Sequence, residues 1–283
     1  MKRPIVLLAN DDGISAAGLQ SLRAKLRQFA DLWVCAPDRE RSAVSQAISL
    51  HTPLRLQEVA KQEFSLDGTP CDCVYIALNH LMPEKPHLVI SGINHGPNLG
   101  NDVLYSGTVG AAMEGALAGI PAIALSLVLP DKQNHSAPPP LDFEEAATFA
   151  ATLAKATLEK PPEPGVLLNV NIPNRGEPAK GVKVCRLGYS DWSQSVHKKL
   201  DPRGRPYYWI GGDRKGVDNI VDSDNSCVND GFISITPIHY DLSDHRSFDY
   251  LRNLELSDYP RVADDLGDNV LGYPAHPKFA KTK

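Results

Sequence analysis

The sequence predicts an α/β protein: three layers, α/β/α, on a doubly wound, mostly parallel sheet, with a β-rich excursion in the C-terminal part. Three observations predict it. Short apolar runs recur along the first half, at 5–9, 32–36, 88–90 and 121–125, as expected of strands buried on both faces. Between them lie stretches with apolar residues at helical period. The connections are short, and strand–helix alternation on short connections winds a parallel sheet right-handedly.

Residues 5–9 are the first strand, stopped by two aspartates. A helix starts near Ser15, with Leu19, Leu22, Leu26 and Phe29 on one stripe. Residues 32–36 form the second strand, closed by Pro37. The alternation at 53–57, followed by 64–66, predicts a two-sided antiparallel or edge element. Thr69-Pro70 opens a helix, with threonine as N-cap and proline first inside. It leads to the third strand, 88–90. A helix rich in small residues covers 107–117, and the fourth strand is 121–125.

The proline-rich stretch 130–141 reads as a surface loop, after which Asp142 caps a helix, with Glu145 three residues on making a capping box. Strands follow at 166–172 and 182–184. The Gly/Asp/Asn-rich stretch 188–230, around the aromatic strand 207–210, is expected to be a functional excursion or an intersubunit arm. A strand at 232–235 and a helix at 247–256 complete a single domain over 1–256. The remainder, 257–283, is expected to be a flexible tail.

Bulk properties narrow the function. The chain has 283 residues, 42% of them hydrophobic, enough for one large core. A net charge of -5 argues against a nucleic-acid binder. No apolar run approaches the roughly 20 residues that span a bilayer, and the N-terminus lacks a secretory pattern. Of the five cysteines, at 35, 71, 73, 185 and 227, four have the apolar or helical contexts of reduced core thiols. A cytoplasmic protein is expected.

Four polar segments follow predicted parallel strands, where open α/β sheets bind ligands. The first is Asn10-Asp11-Asp12-Gly13. Asp-Gly alone is a common turn dipeptide, but two carboxylates at a strand-to-loop bend can converge on a hard cation such as magnesium or manganese. The second, 37–43, sets Ser42 beside two guanidinium groups, Arg39 and Arg41, and is alternatively a plain charged loop. The third, 91–100, carries glycines at 92, 96 and 100 with Asn94 and Asn98 between them. The fourth, Ser106-Gly107-Thr108, opens the small-residue helix, whose N-terminal N–H groups suit an anion; an ordinary N-cap is the alternative. Together the four describe a metal site beside a phosphate site. Cys71 and Cys73 lack a second cysteine pair, so they do not read as a zinc motif. His95 reads as structural, with proton transfer as the alternative, and His239 and Asp241 read as structural, with a subunit contact as theirs.

At these residues the sequence resembles the SurE family of survival-protein 5′-nucleotidases. The resemblance is carried by Asn10-Asp11-Asp12-Gly13, the segment from Ala36 to Ser42, Gly68-Thr69-Pro70 with Asp72-Cys73-Val74, and the run from Ser91 to Val109. It continues through Asp201-Pro202-Arg203-Gly204, Tyr208-Trp209-Ile210 and Ser234-Ile235-Thr236-Pro237, over about 4–255. Ala9 departs from the family, which often has Ser or Thr there, and the tail beyond about 256 runs longer than expected.

The resemblance implies a Rossmann-like sheet and one divalent ion per subunit, Mg2+ or Mn2+, held by Asp11, Asp12, Ser42 and Asn94. It implies phosphate contacts from Asn98, Ser106, Gly107 and Thr108. The implied substrates are nucleoside 5′-monophosphates, with 3′-monophosphates and short-chain polyphosphate as extensions. Dimers or tetramers are implied, with C-terminal segments reaching a neighbour. Asp11 and Asp12 are the catalytic candidates, and Asp12 is favoured as the proton acceptor, although the sequence does not settle which of the two it is.

Two other readings exist. A haloacid-dehalogenase-like phosphatase needs its second aspartate two residues after the first, whereas here the two are adjacent and Ile14 follows Gly13. A non-catalytic nucleotide-binding or sensing protein on the same fold would need no metal-bound nucleophile.

Overall fold

The computed structural model describes residues 2–129, 140–192, 195–212, 218 and 220–254. Along the chain lie β1 (Ile5–Ala9), α1 (Ala17–Leu26), β2 (Asp31–Pro37), β3 (Leu56–Ala60), β4 (Glu63–Leu66) and α2 (Pro70–Ile76). Next come β5 (Leu88–His95), α3 (Gly107–Leu117), β6 (Ala122–Val128), α4 (Phe143–Glu159) and β7 (Val166–Pro173). The last part holds β8 (Val182–Val184), β9 (Ser195–Leu200), β10 (Pro206–Gly211), α5 (Asp224–Asn229), β11 (Ile233–His239) and α6 (Phe248–Arg252).

Nine strands form one sheet in the order β3-β4-β2-β1-β5-β6-β7-β11-β8. The six from β4 to β7 are mutually parallel. Antiparallel strands flank them: β3 on β4, and β11 on β7. Strand β8 then pairs parallel to β11. Side chains alternate across each strand, so Val6 and Leu8 pack under α1 and α4, while Leu7 and Ala9 pack under α2 and α3. The three-layer architecture predicted from sequence is thus present. The chain leaves β1 for β2 on one side and returns as β5 on the other, which puts the switch in strand order at the carboxyl ends of β1 and β5.

Several boundaries differ from expectation. The edge strand lies at Leu56–Ala60, not 53–57, and all five of its residues are exposed, so no buried face imposed a pattern. Strand β5 runs on to His95, making Asn94 and His95 strand residues paired with Ser126 and Leu127 of β6. Helix α2 stops at Ile76 and widens into one π turn, Ala77–Leu81. Its start holds a reciprocal cap that sequence reading missed: Thr69 accepts from Asp72 N, and Asp72 accepts from Thr69 N. The opposite happened at α4. Asp142 accepts from Glu144 N and Glu145 N, but Glu145 turns away to accept from Ala179 N, so the capping box is only half made.

In the excursion at 188–230 the aromatic strand expected at 207–210 is present as β10, while its antiparallel partner β9 and helix α5 were not expected. Helix α6 ends at Arg252, short of the expected 256. Most of the loop expected at 130–141, and the tail from 255 on, lie outside the described residues. Among the described residues, no helix is long and apolar enough to cross a membrane.

Candidate active site

Asn10 ends β1 fully buried and folds its side chain onto the next turn. Its Nδ2 donates to Gly13 O at 2.9 Å and its Oδ1 accepts from Gly13 N at 3.2 Å. Gly13 takes φ +102, a conformation that costs a glycine little, and the following Ile14 N donates to Pro37 O at the end of β2. This ring fixes the two residues inside it, Asp11 and Asp12.

Asp11 is 4% exposed. Its Oδ1 accepts from Thr108 Oγ1 at 2.5 Å, and its backbone O accepts from Arg41 N at 2.7 Å. The first contact ties it to the start of α3, the second to the loop carrying Ser42. Burial pushes the Asp11 carboxyl up to about 6; the Thr108 side-chain bond limits the rise, and the Asp12 charge adds to it. Asp12 is less buried. Its Oδ2 accepts from His95 N at 3.1 Å, which joins it to the end of β5. Burial raises its carboxyl too, against the lowering influence of that backbone bond.

Ser42 is exposed, and its Oγ donates to Glu40 Oε1 at 2.8 Å. Asn94 uses Nδ2 to donate to Gly96 O at 2.9 Å, so its Oδ1 is the end of the amide left for another partner. His95 turns its ring to Phe143, with centroids 4.8 Å apart. The structure therefore bonds the segments bearing Asp11, Asp12, Ser42, Asn94 and Thr108 to one another at one rim.

Helix α3 starts with Ser106 as N-cap, its Oγ accepting from Val109 N at 3.0 Å. Thr108 is fully buried and gives its hydroxyl to Asp11. Gly107 fits where a β-carbon would stand 3.0 Å from Asp11 Cβ and 3.1 Å from Pro70 Cγ. Helix start and carboxylate are thus in direct contact.

Asn98 belongs to a second polar cluster. Its backbone N donates to Asn171 Oδ1 at 2.8 Å, and its backbone O accepts from Asn169 Nδ2 at 2.8 Å and Asn171 Nδ2 at 3.0 Å. Its own Nδ2 donates to Ser126 Oγ at 2.7 Å. Asn169 and Asn171 sit on one face of β7, a strand with little exposed surface. Two carboxamides at alternate positions of a buried strand need partners, and that was the sequence signal overlooked. Asn10, Ser126, Asn169 and Asn171 are the supporting residues that sequence reasoning missed.

Among the described residues, no group of three or more His, Cys, Asp or Glu side chains is arranged to hold a metal. A cation here would lean on the acid pair and neutral oxygens. Cys71 and Cys73 are buried, and burial pushes the Cys71 thiol up to about 12 and raises Cys73 as well.

Fold and rim together define a doubly wound α/β protein with an acid pair at its switch point and a helix start directed onto it. Comparison with known proteins narrows the class. A family model described as survival protein SurE matches residues 6–194, and the chain belongs to the SurE family. It is 51% identical over 259 residues to a 5′-nucleotidase SurE of Anaeromyxobacter dehalogenans, covering 90% of this chain and 98% of that one. To the 5′-nucleotidase SurE of Myxococcus xanthus it is 47% identical over 262 residues, covering 92% and 97%. The crystal structure of SurE from Aquifex aeolicus superimposes with a TM-score of 0.75 at 39% identity, covering 88% of this chain and all of that one.

Proposed function

We propose that the chain is a divalent-metal-dependent 5′-nucleotidase that hydrolyses nucleoside 5′-monophosphates to nucleoside and phosphate. Membership of the SurE family and the activity named for its relatives support the reaction. The observation that carries the site is the buried Asp11, held by Thr108 Oγ1 at the start of α3. The proposal extends to 3′-monophosphates and short-chain polyphosphate, which present a phosphoryl group to the same residues.

The residues suit a hard cation. Asp11 and Asp12 bring two carboxylates, Asn94 leaves an amide oxygen, and Ser42 adds a hydroxyl on the loop tied to Asp11. Burial holds Asp11 at about 6, so its charged form lacks a counter-charge of its own. An all-oxygen set of this kind fits Mg2+ or Mn2+. When bound, the ion supplies charge neutralisation and Lewis-acid polarisation of a phosphoryl oxygen.

The chain's own groups do the rest. Ser106, Gly107 and Thr108 set the N-terminal N–H groups and dipole of α3 toward the developing charge. Asn98, locked from behind by Asn169 and Asn171, holds a phosphoryl oxygen. Asp12 is the general base: its Oδ2 is occupied by His95 N, leaving Oδ1 to take the proton of the attacking water.

We also propose that the enzyme is a cytoplasmic homodimer or homotetramer. The five described cysteines are all unpaired and buried, as suits a reducing compartment. The β9–β10 hairpin presents Val196, Tyr208, Trp209 and Ile210 to solvent, Trp209 62% and Ile210 91% exposed, an apolar set suited to covering by another subunit.

Incubation with AMP and Mn2+ tests the reaction. Phosphate release abolished by Asp11→Asn supports it; saturable AMP binding without turnover in the unmutated protein would instead make the chain a nucleotide sensor. Sedimentation of Ile210→Asp tests the assembly, a smaller species being expected.

A further inference from the structure

Asp224, the first residue of α5, is a fully buried carboxylate with no part in the chemistry above. Its Oδ2 accepts from Gly100 N at 2.9 Å, and its Oδ1 accepts from Gly188 N at 2.8 Å and Asn225 N at 2.9 Å. The two segments it joins are 88 residues apart in sequence (188 − 100) yet touch through their backbones. Gly100 has φ +55, and a β-carbon on it would lie 2.8 Å from Gly188 O. On Gly188 a β-carbon would lie 2.1 Å from Asp218 Oδ2. A glycine at 100 lets the two segments approach this closely, and a glycine at 188 leaves room for the Asp218 carboxylate.

Gly100 opens the short turn Gly100–Leu104, which has Asn98 just before it and Ser106, the N-cap of α3, just after it. Neighbouring contacts press the same turn down. Ser190 Oγ donates to Leu99 O at 3.2 Å, Ser190 N donates to Asn101 Oδ1 at 2.6 Å, and Trp192 Nε1 donates to Asp102 Oδ1 at 2.9 Å. Asp224 is the charged, water-excluded member of this set, and hydrogen bonds to a buried charge are the strong ones.

We infer that Asp224 is a positioning residue: by binding Gly100 N and Gly188 N together, it sets the turn that carries Asn98 and Ser106, the two ends of the phosphate-holding surface. The inference rests on the proposed phosphate site, and it assigns part of that site's geometry to α5, far along the chain. Asp218 is the built-in comparison. It binds Tyr189 N at 2.7 Å and Ser223 Oγ at 2.7 Å, bracing the 188–190 segment without touching Gly100.

The test uses the full chain with Mn2+. For Asp224→Asn, KM for AMP and Kd for inorganic phosphate are expected to rise about tenfold, the scale of one charge-assisted hydrogen bond, while kcat changes less than about threefold because the acid pair is untouched. Amides 98–104 should exchange with deuterium about tenfold faster, with β5 to β7 unchanged. Asp218→Asn should speed exchange at 188–190 and raise phosphate Kd by less than Asp224→Asn does. Should Asp224→Asn not fold, Asn101→Ala loosens the same junction from its exposed side and is expected to raise KM about threefold. Phosphate Kd unmoved in Asp224→Asn, or in Asn101→Ala where only that variant folds, overturns the inference, as does an equal rise in Asp218→Asn. If the unmutated protein neither binds phosphate nor hydrolyses AMP, the proposed function falls, while the exchange comparison still decides whether Asp224 holds the turn.

Discussion

Thr108 Oγ1 donates to Asp11 Oδ1 at 2.5 Å, across 97 positions of sequence. In sequence, Thr108 reads as one of several donors for a bound anion. In the fold its hydroxyl is committed to a carboxylate of the chain itself, so the start of α3 first organises the acid pair.

Replacing Thr108 should therefore act through Asp11. Thr108→Val keeps the shape and removes the bond that lowers the Asp11 carboxyl. Activity should fall about ten- to a hundredfold, as for loss of a hydrogen bond to a charge worth about 1.5–3 kcal/mol. The acid limb of the pH–rate profile should move to higher pH, and Thr108→Ser should restore both. Rate profiles of the two variants, taken side by side, check this.

The metal-free protein should lose stability as pH rises through the acid range. Asp11 stands at about 6 in the folded chain against an ordinary 3.8, so the native state keeps a proton that the unfolded chain releases. Stability from this group is fullest below about pH 4 and declines up to about pH 6, by about 3 kcal/mol in total. Urea titrations in chelator at pH 4.5 and 7 read the slope, and Asp11→Asn should remove this contribution. If the two proteins show equal slopes, the assignment to Asp11 is wrong.

Gly107→Ala places a methyl 3.0 Å from Asp11 Cβ and 3.1 Å from Asp11 Oδ2. Because the contact is with a side chain at the centre of the site, we expect metal affinity and turnover to drop at least about tenfold with little loss of stability, since alanine otherwise favours a helix. Calorimetric Mn2+ titration beside thermal melting separates the two effects.

Asn171→Leu removes both the acceptor for Asn98 N and a donor to Asn98 O. A buried N–H left unpaired costs about 1–3 kcal/mol, so the melting temperature should fall by several degrees and KM should rise. A melt indistinguishable from the unmutated chain would show that water replaces the carboxamide.

Much of this was legible in the sequence. Strands β1, β2, β5 and β6 announced themselves as apolar runs, and α3 begins and ends where Ser106 and its small residues said it would. Strand β3 slipped because none of its residues is buried, leaving no face to write a pattern. The end of β5 was read as loop because Gly92, Asn94 and His95 are poor strand formers; pairing with β6 overrides that preference. Helix α5 is six residues of mostly polar composition, with Cys227 and Val228 its buried apolar members, too short for periodicity. The site followed the same division. Residues adjacent in sequence were found by their chemistry, whereas Thr108 with Asp11, and Asn98 with Asn171, meet only once the sheet is assembled.

The order of strands at the far edge sets a schedule for synthesis. Strand β8 leaves the ribosome before β11, yet β11 lies between β8 and β7. A nascent chain can assemble the parallel strands through β7 while the three residues of β8 wait without a neighbour. A stop codon anywhere between 185 and 232 would thus strip two strands from the sheet rather than one, and leave β7 as a raw edge open to pairing with another chain.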